Sequence, residues 1–334
     1  MTIKDISALT GYSVGTVSRV LNNQPNVSEK AKKTILDAAL ATGFQLNTNA
    51  KQLKQQHSNG ILILVKGTSN QLFGALIERL QNKLAATEHP LMVDYMDEDH
   101  NEVLRALQLC VEKKPRGILF LGGNRHNFLA DFEKISVPCV LVTDDAAGMP
   151  FKNLSSITSD DRLGAKLAID ALAAQGHRRI AVIGGDRKRS DTTRHRYQGC
   201  LDAFAEHAIS FDPQLDYEDV RFSYADGYRA ACNLLDRGRT FSALFAMSDV
   251  MAIGAIRALH DRGLKVPEDV SVIGYDGLQI GEFMQPRLST VCQDTAELAS
   301  RSLELLLENI ESPHEPRYET VDVAVQLKES IKNA

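Results

Sequence analysis

The chain has 334 residues, 43% hydrophobic and 24% charged, which suffices for a large core and two or three domains and excludes a mainly disordered chain. No apolar run approaches the roughly 18 to 20 residues that span a bilayer, and no signal-peptide pattern opens the sequence. The five cysteines lie far apart, without a CxxC pair. We therefore expect a cytoplasmic protein with reduced thiols and no contact with a membrane.

The net charge of −5 is unevenly distributed. Residues 1–57 contain seven cations and three acids, a formal charge of +4, so the remaining chain carries −9. A small basic head on a large acidic body predicts that any polyanion-binding surface is confined to the head.

Up to about residue 44 the apolar residues recur at helical spacing, which predicts three short helices. Thr2, Ser13 and Ser28 stand where N-caps are expected, Gly11 falls between the first two helices, and Gly43 ends the third.

From residue 60 onward, short β-branched runs alternate with helical stretches, a pattern typical of parallel sheets in an α/β fold. A first series has strands at 61–65, 91–95, 117–121 and 137–142, with helices near 74–87 and 101–113. A second series, after Ile157, has helices at 161–174, 194–207, 225–237 and 249–262, with strands at 179–183, near 218–222, at 243–246 and at 270–274. The tail from Leu288 adds a strand, a helix near 294–310 and two short strands that we expect to cross back between two doubly wound lobes.

The second helix of the head, over residues 13–22, presents a small, polar and cationic surface once its apolar residues pack inward. A first helix, a glycine-containing turn and such a helix form the helix-turn-helix arrangement, whose second helix enters the major groove. Arg19 can bind guanine O6 and N7, Val14 can meet a thymine methyl, and Thr16 and Ser18 can hold phosphates. The alternative is an ordinary three-helix bundle with a solvated face. The predicted DNA-binding residues of this helix are Val14, Gly15, Thr16, Ser18, Arg19 and Asn22.

The string TIKDISALTGYSVGTVSRVLNN closely resembles the head of the lactose/galactose repressor (LacI/GalR) family of bacterial transcription regulators, and the resemblance extends over essentially the whole chain. It implies that Val14, Gly15 and Arg19 occupy base-reading positions, and that a homodimer binds a near-palindromic operator in double-stranded DNA. Tyr12 departs from the small aliphatic residue usual after this glycine. We expect its ring to cover the turn or to contact phosphate.

Residues 47–56 connect head and body and are too short for a stable helix alone, so we expect disorder without DNA. In the family this hinge folds on the operator and inserts a leucine into the minor groove. By that resemblance Leu53 is the inserted leucine, and Lys51 and Lys54 flank it with charge directed at phosphates. The alternative is a flexible linker whose Leu53 packs against the body. Leu46 replaces the proline usual before the segment, which makes the entry to the hinge less rigid.

The body contains no phosphate-binding loop, zinc-protease motif, hydrolase elbow or dinucleotide fingerprint, so we expect no catalysis, cofactor or metal. Polar residues instead follow several strands, at 143–145, 159–161, 248–249 and 275–276. In open α/β sheets ligands bind outside the carboxyl ends of strands, which predicts a cleft between the lobes. We assign Asp161 and Asp249 to helix caps, and residues 97–99 to a solvated turn.

Carboxylates and a forked arginine suit sugar hydroxyls, and an aromatic ring can cover the apolar face of a sugar. The resemblance implies that Asp276 in VIGYDG and Arg196 in RHRYQG bind the effector and that Phe222 stacks on it. The alternatives are a helix N-cap for Asp276 and a surface ion pair for Arg196. Ser248 replaces the more common asparagine, and Thr143 a commonly polar or charged residue. The predicted effector-binding residues are Leu72, Phe73, Arg196, Phe222, Ser248, Asp276 and Gln293.

The segment DRKRSDTTRHR concentrates cations near the predicted cleft: Arg187, Lys188, Arg189, Arg194 and Arg196. This density favours an anionic effector, such as a sugar phosphate or nucleotide, if the cations face the cleft. The alternative is a solvated loop with some cations pointing away.

Together these features predict a helix-turn-helix head at 1–45, a hinge at 46–58 and a periplasmic-binding-protein-like body at 59–334. Lobe 1 takes about 59–158 and 290–320, and lobe 2 about 159–289 and 321–334. The expected function is a dimeric transcription regulator, a repressor controlled by a small sugar-like effector. Its rivals are a solute-binding protein of the same two-lobed fold and an enzyme on the same scaffold, although no catalytic constellation supports the latter.

Overall fold

The structure, a computed structural model, describes residues 3–21, 27–42, 60–68, 70–238 and 240–332. The chain divides into two compact units between Ser58 and Asn59. Several residues named above lie outside the described ranges: Thr2, Asn22, Gly43 and the predicted hinge at 46–58, with Leu46, Lys51, Leu53 and Lys54.

The head is a bundle of three short helices, as its helical spacing predicted. Ile6, Val17 and Ile35 are fully buried in its small core. The turn between the first two helices passes through Gly11, whose φ of +69° is a conformation that glycine adopts without strain. Ser13 begins the second helix by accepting a hydrogen bond from the Thr16 amide at 3.2 Å. The helices are α1 Ile3–Thr10, α2 Val14–Leu21 and α3 Glu29–Ala41.

The first lobe of the body is built on a six-stranded parallel sheet with the order β11-β5-β4-β3-β1-β2. The central strands are buried on both faces because helices cover each side. The strands are β1 Ile61–Lys66, β2 Leu91–Met96, β3 Gly117–Leu121, β4 Cys139–Val142, β5 Leu154–Ser159 and β11 Tyr318–Val321. The helices are α4 Gln71–Leu84, α5 Glu102–Lys113, α6 Arg125–Asp131 and α11 Thr295–Glu311.

The second lobe repeats this architecture with the order β12-β10-β9-β8-β6-β7. Among its described strands the β10–β12 pairing is antiparallel and the others are parallel. Its strands are β6 Ile180–Gly184, β7 Tyr217–Asp219, β8 Ala243–Ala246, β9 Ser271–Asp276, β10 Ser289–Gln293 and β12 Val323–Gln326. Its helices are α7 Asp161–Ala174, α8 Asp191–Glu206, α9 Tyr224–Asp236 and α10 Asp249–Asp261. The predicted α/β fold with two doubly wound lobes is therefore confirmed.

Within the described residues, the chain passes between the lobes three times, after β5, after β10 and after β11. The first two passages are tied together because the Ser159 hydroxyl donates to Gln293 Oε1 at 2.7 Å. The sequence placed residues from 290 in lobe 1, but β10 lies in the second sheet, where Val291 pairs opposite Tyr275 and is buried in the core of that lobe. The passage therefore falls after Gln293, a few residues later than predicted.

Two elements of the first lobe were not predicted from the sequence. β5 carries serines and a threonine, and its burial depends on pairing between β4 and β11. α6 has only seven residues and buries only Phe128, too little for a helical pattern. Among the described residues, no helix is long and apolar enough to cross a membrane.

Candidate functional site

The outer surface of α2 has the composition that the helix-turn-helix prediction requires. Val17 and Val20 are buried, whereas Val14 is 45% exposed and Gly15 and Arg19 are exposed. The helix contains no acidic residue, so nothing on it opposes an approach to phosphate.

The turn before α2 is held by Ser7 and Tyr12. The Ser7 hydroxyl donates to the Tyr12 carbonyl at 2.6 Å, and the half-buried Tyr12 ring packs against the core of the head. The ring therefore packs on the core of the head, and its two expected roles, covering the turn or contacting phosphate, stay predictions.

A cavity of about 340 Å³ lies between the two lobes, at the carboxyl ends of the strands. Leu72 and Phe73, in the first turn of α4, line it from the first lobe, and Arg196, Phe222 and Asp276 line it from the second. Gly122 has a φ of +79°, and a Cβ there would come within 3.2 Å of the Phe73 ring, so glycine lets that ring lie against the wall.

Arg196 is the most enclosed cation of the cavity, at 3% exposure. Its Nε donates to Asp161 Oδ1 at 2.8 Å, and its Nη1 donates to the Met247 carbonyl and lies 3.9 Å from Asp276 Oδ1. The guanidinium also lies over the Tyr275 ring. Arg196 is thus a buried cation at the cavity wall and not the surface ion-pair partner of the alternative interpretation.

Asp276 ends β9 with a φ of +120°, a strained conformation for a residue other than glycine. Its Oδ2 accepts from Ser248 Oγ and its Oδ1 from Gln293 Nε2, both at 2.8 Å. Burial raises the pKa of Asp276 to about 6, although Arg196 acts to lower it. Neither Ser248 nor Gln293 lines the cavity, so these two predicted site residues hold the Asp276 carboxylate from behind.

The assignment of Asp161 and Asp249 to helix caps was wrong. Asp160 caps α7 by accepting from the Leu163 amide at 2.9 Å, which leaves Asp161 to pair with Arg196. Asp249 is fully buried and accepts from Thr290 Oγ1 at 2.6 Å and from the Leu278 amide at 2.7 Å. Burial raises the pKa of both carboxyls.

Asp144 lines the cavity and joins the two lobes. The Thr192 hydroxyl on α8 donates to Asp144 Oδ1 at 2.9 Å, and the Gly123 amide donates to Oδ2 at the same distance. Burial raises the pKa of Asp144 to about 7, and the bond from Thr192 acts against that rise. The Asp144 carboxyl therefore changes its charge near neutral pH.

The polar wall of the first lobe was missed by the sequence analysis. The fully buried Glu102 pairs with Lys66 and accepts from the Asn124 amide at 2.6 Å and from Asn127 Nδ2 at 2.9 Å. Lys66, Asn124 and Asn127 line the cavity. Lys66 ends β1 and Asn124 follows β3. Because ligands bind outside the carboxyl ends of strands, this position in the sequence could have predicted both as cavity residues.

Residues 97–99 are not merely a solvated turn. Asp97 Oδ2 and Glu98 Oε1 each lie 3.2 Å from Arg221 of the second lobe, which also pairs with Asp99. Asp99 Oδ1 lies 3.1 Å from Arg189 Nη1. All five side chains line the cavity, and they join the lobes at its mouth.

The cations of the basic segment point in several directions. Arg187 stacks on Tyr197 at 4.4 Å from the ring centre, and Arg194 pairs with Asp191 at 2.6 Å. Arg189 and Arg196 line the cavity, and both are paired with carboxylates. The segment therefore does not gather its charge at one point of the cleft.

A basic helix-turn-helix head followed by a two-lobed body with a cavity between its lobes defines a class of ligand-responsive DNA-binding regulators. Within the described part of the chain, no group of three or more His, Cys, Asp or Glu residues has the arrangement of a metal site.

Comparisons with known proteins agree with this class. Residues 2–47 match the bacterial regulatory proteins of the lacI family, and residues 169–331 match the periplasmic binding protein-like domain. The chain is 31% identical over 333 residues to the ribose operon repressor of Haemophilus influenzae, covering 99% of this chain and 98% of that protein.

Two solved structures are similar over nearly the whole length. The cellobiose complex of the transcriptional regulator CelR has a TM-score of 0.71 at 26% identity and covers 99% of both chains. The lac repressor dimer bound to its operator and the anti-inducer ONPF has a TM-score of 0.77 at 22% identity and covers 99% of this chain and 98% of that one, which is a likeness of fold.

The chain belongs to the lacI family of bacterial regulatory proteins. It is a sequence-specific DNA-binding regulator of transcription and not an enzyme. A solute-binding protein, the alternative class, would share the two-lobed body but not the head, which matches the lacI family.

Proposed function

We propose that this regulator is a repressor whose operator affinity is controlled by a neutral sugar, or a close derivative, bound in the interlobe cavity. The observation that carries the proposal is the lining of this cavity, where Arg196 and Asp276 face Leu72 and Phe73 across the cleft and Phe222 supplies an aromatic ring. Forked donors and carboxylates bind vicinal hydroxyls, and an aromatic ring covers the apolar face of a sugar. The names of the relatives point to the same ligand class, since one is a ribose operon repressor and another was solved with cellobiose.

DNA recognition rests on the exposed surface of α2. Val14, Gly15 and Arg19 read base edges in the major groove, and Thr16 and Ser18 bind phosphates. Asn22 and the hinge residues Lys51, Leu53 and Lys54 lie outside the described residues. The role of Asn22 follows from the helical spacing of the sequence, and the hinge roles follow from the resemblance to the family. A regulator of bacterial operons acts on the chromosome, which supports the expected cytoplasmic location.

A dimer is the natural form for a near-palindromic operator. β2 is an edge strand of the first sheet, and it exposes Val93 at 37% and Tyr95 at 56%. An edge strand with exposed apolar side chains suits pairing with a second copy. The similar lac repressor structure is a dimer on its operator. These features support a homodimer with two heads on one operator.

The effector acts by preferring one arrangement of the lobes. Three chain passages and the Thr192–Asp144 hydrogen bond link the lobes. A ligand that contacts both lobes therefore changes how far the cleft between them closes. A ligand shifts the DNA-binding equilibrium only by its preference for one state, typically about 1 to 3 kcal/mol between coupled sites.

The test is calorimetry on the full-length protein with D-ribose, cellobiose and other neutral sugars, together with operator titrations. Phe222→Ala should weaken the binding of the responsive sugar at least about tenfold, because the ring no longer covers its apolar face. Leu129→Ala removes a side chain that is 50% exposed outside the cavity and should change neither measurement. A sugar that shifts operator affinity equally in wild type and Phe222→Ala would contradict the assignment.

A further inference from the structure

Five charged side chains from opposite lobes form one cluster at the mouth of the cavity, which we call the mouth cluster: Asp97, Glu98, Asp99, Arg189 and Arg221. The carboxylates follow β2 in the first lobe, and the arginines follow β6 and β7 in the second. Arg221 contacts all three carboxylates, and Arg189 adds a second contact to Asp99. Each of these four ion pairs therefore spans the cleft.

The cavity has no described cation left over for an anionic ligand. Lys66 pairs with Glu102 and Arg196 with Asp161, and both arginines of the mouth cluster are held by its carboxylates. Seven carboxylates and four cations line the cavity among the described residues, so its formal charge is negative. The net negative charge of the lining opposes the entry of a phosphate.

The mouth cluster is also arranged to open. Its side chains are between 33% and 59% exposed, and ion pairs at such sites are screened by solvent and salt. Lobe separation breaks all of these contacts together, since each joins the two lobes. Such a cluster can close the cleft over a bound ligand, and its ion pairs are weak enough for the cleft to open again.

We propose that the mouth cluster is a specificity gate, in which Asp97, Glu98 and Asp99 neutralise Arg189 and Arg221 so that the closed cleft accepts uncharged effectors and rejects phosphorylated ones. The inference rests on the proposed function in that the cavity takes a sugar-like effector. It assigns the basic segment a role other than anion binding: Arg189 closes the cleft.

The experiment removes the carboxylates and measures whether the arginines become an anion site. The full-length triple variant Asp97→Asn/Glu98→Gln/Asp99→Asn is compared by calorimetry with wild type, using inorganic phosphate and ribose 5-phosphate as probes. The matched control, Glu112→Gln/Asp131→Asn/Glu133→Gln, makes the same change in net charge on the same lobe, at positions that do not line the cavity. Operator binding and thermal melting verify that each variant is folded.

We expect wild type and the control to bind the two phosphates no more tightly than about 10 mM, and the triple variant to bind them at least about tenfold more tightly, because two forked donors are freed. Adding Arg189→Ala and Arg221→Ala to the triple variant should abolish the gain. If the triple variant melts early, Asp99→Asn alone, which frees one contact of each arginine, should show a smaller gain of about threefold.

Phosphate binding by wild type that is clearly tighter than about 10 mM would overturn the proposal. So would a triple variant that binds no more tightly than wild type, or a gain that the control shares or that persists without the arginines. The proposed function is tested separately, by calorimetry with neutral sugars and by operator titrations. It would be contradicted if no neutral sugar bound or shifted operator affinity. Even then, the comparison of phosphate binding between wild type and the triple variant tests the gate, because phosphate binding depends only on the charges of the mouth cluster.

Discussion

The guanidinium carbon of Arg196 lies 3.6 Å from the centre of the Tyr275 ring, so the most buried cation of the cavity rests on an aromatic face. Tyr275 directly precedes Asp276 on β9, and that strand therefore provides both the ring beneath the cation and a carboxylate near it. Asp161 fixes the Nε side of the guanidinium. The orientation of Arg196 is thus set before a ligand arrives, which lowers the cost of ordering it on binding.

Arg196→Ala should lower the free energy of unfolding by about 3 to 5 kcal/mol, because it leaves Asp161 and Asp276 buried without their cation. Urea denaturation of the full-length protein measures this. Arg257→Ala removes an arginine that is 69% exposed and should cost less than about 0.5 kcal/mol. Adding Asp161→Asn to the Arg196 variant should recover part of the loss, and a strictly additive double variant would show that the pair is not coupled.

Arg196→Lys keeps the charge but loses the fork, and it should weaken binding of the responsive sugar by about 2 to 4 kcal/mol by leaving ligand oxygens unpaired. Its operator affinity without effector should be unchanged, because Arg196 lies in the body. Calorimetry and operator titrations measure the two effects. Normal effector binding by this variant would refute the role of Arg196.

Arg19→Ala should cost about 1 to 3 kcal/mol of operator affinity and relax the preference at one base pair in each half-site. Lys54→Ala, by contrast, should weaken all sequences alike, as expected for a contact with phosphate. Binding to a set of operators with single substitutions separates the two. Arg257→Ala on the body is the control, and a uniform loss for Arg19→Ala across the set would show that Arg19 binds only phosphate.

Leu53→Ala should reduce both operator bending and affinity, because alanine is too short to hold an unstacked base step open. Fluorescence energy transfer between labelled ends of an operator reports the bend. Leu53→Met keeps a long apolar side chain and should preserve most of it. Identical end-to-end distances for wild type and Leu53→Ala would instead make Leu53 a packing residue.

The stability of the body should depend on pH through Asp144, whose pKa is raised by burial to about 7 in the folded chain. Its unfolded pKa is near 3.9, so the folded state binds an extra proton between these values. The stability contributed by Asp144 is therefore fully present below the unfolded pKa and is lost as the pH rises through about 7. Asp144→Asn does not titrate, and wild type should lose about 1 to 3 kcal/mol relative to it between pH 5 and pH 8.

Denaturation at four pH values between 5 and 8 checks this difference. Thr192→Val is the companion variant, because the Thr192 hydroxyl lowers the pKa of Asp144. Without it the loss should extend to higher pH. A difference between wild type and Asp144→Asn that stays constant across the range would show that Asp144 does not titrate there.

Features that depend on neighbours along the chain were predictable from the amino-acid sequence. The helices of the head follow from apolar spacing and from caps such as Ser13 and Ser28, all within a few residues of one another. The strongly apolar strands β1 and β3 were likewise evident from short runs. The DNA-facing surface of α2 is local in the same sense, because one helical turn fixes which side chains share a face.

The partners of the buried polar groups, by contrast, are set by contacts between distant parts of the chain. Asp161 stands where a cap is expected, yet its partner Arg196 lies 35 residues away in sequence, and the carboxylates at 97–99 find Arg221 more than 120 residues away. β5 is too polar to be recognised before its neighbours β4 and β11 cover it. These cases share one cause. A buried charged or polar side chain needs a partner, and sheet order and lobe closure determine which partner it meets, which local spacing in the sequence does not encode.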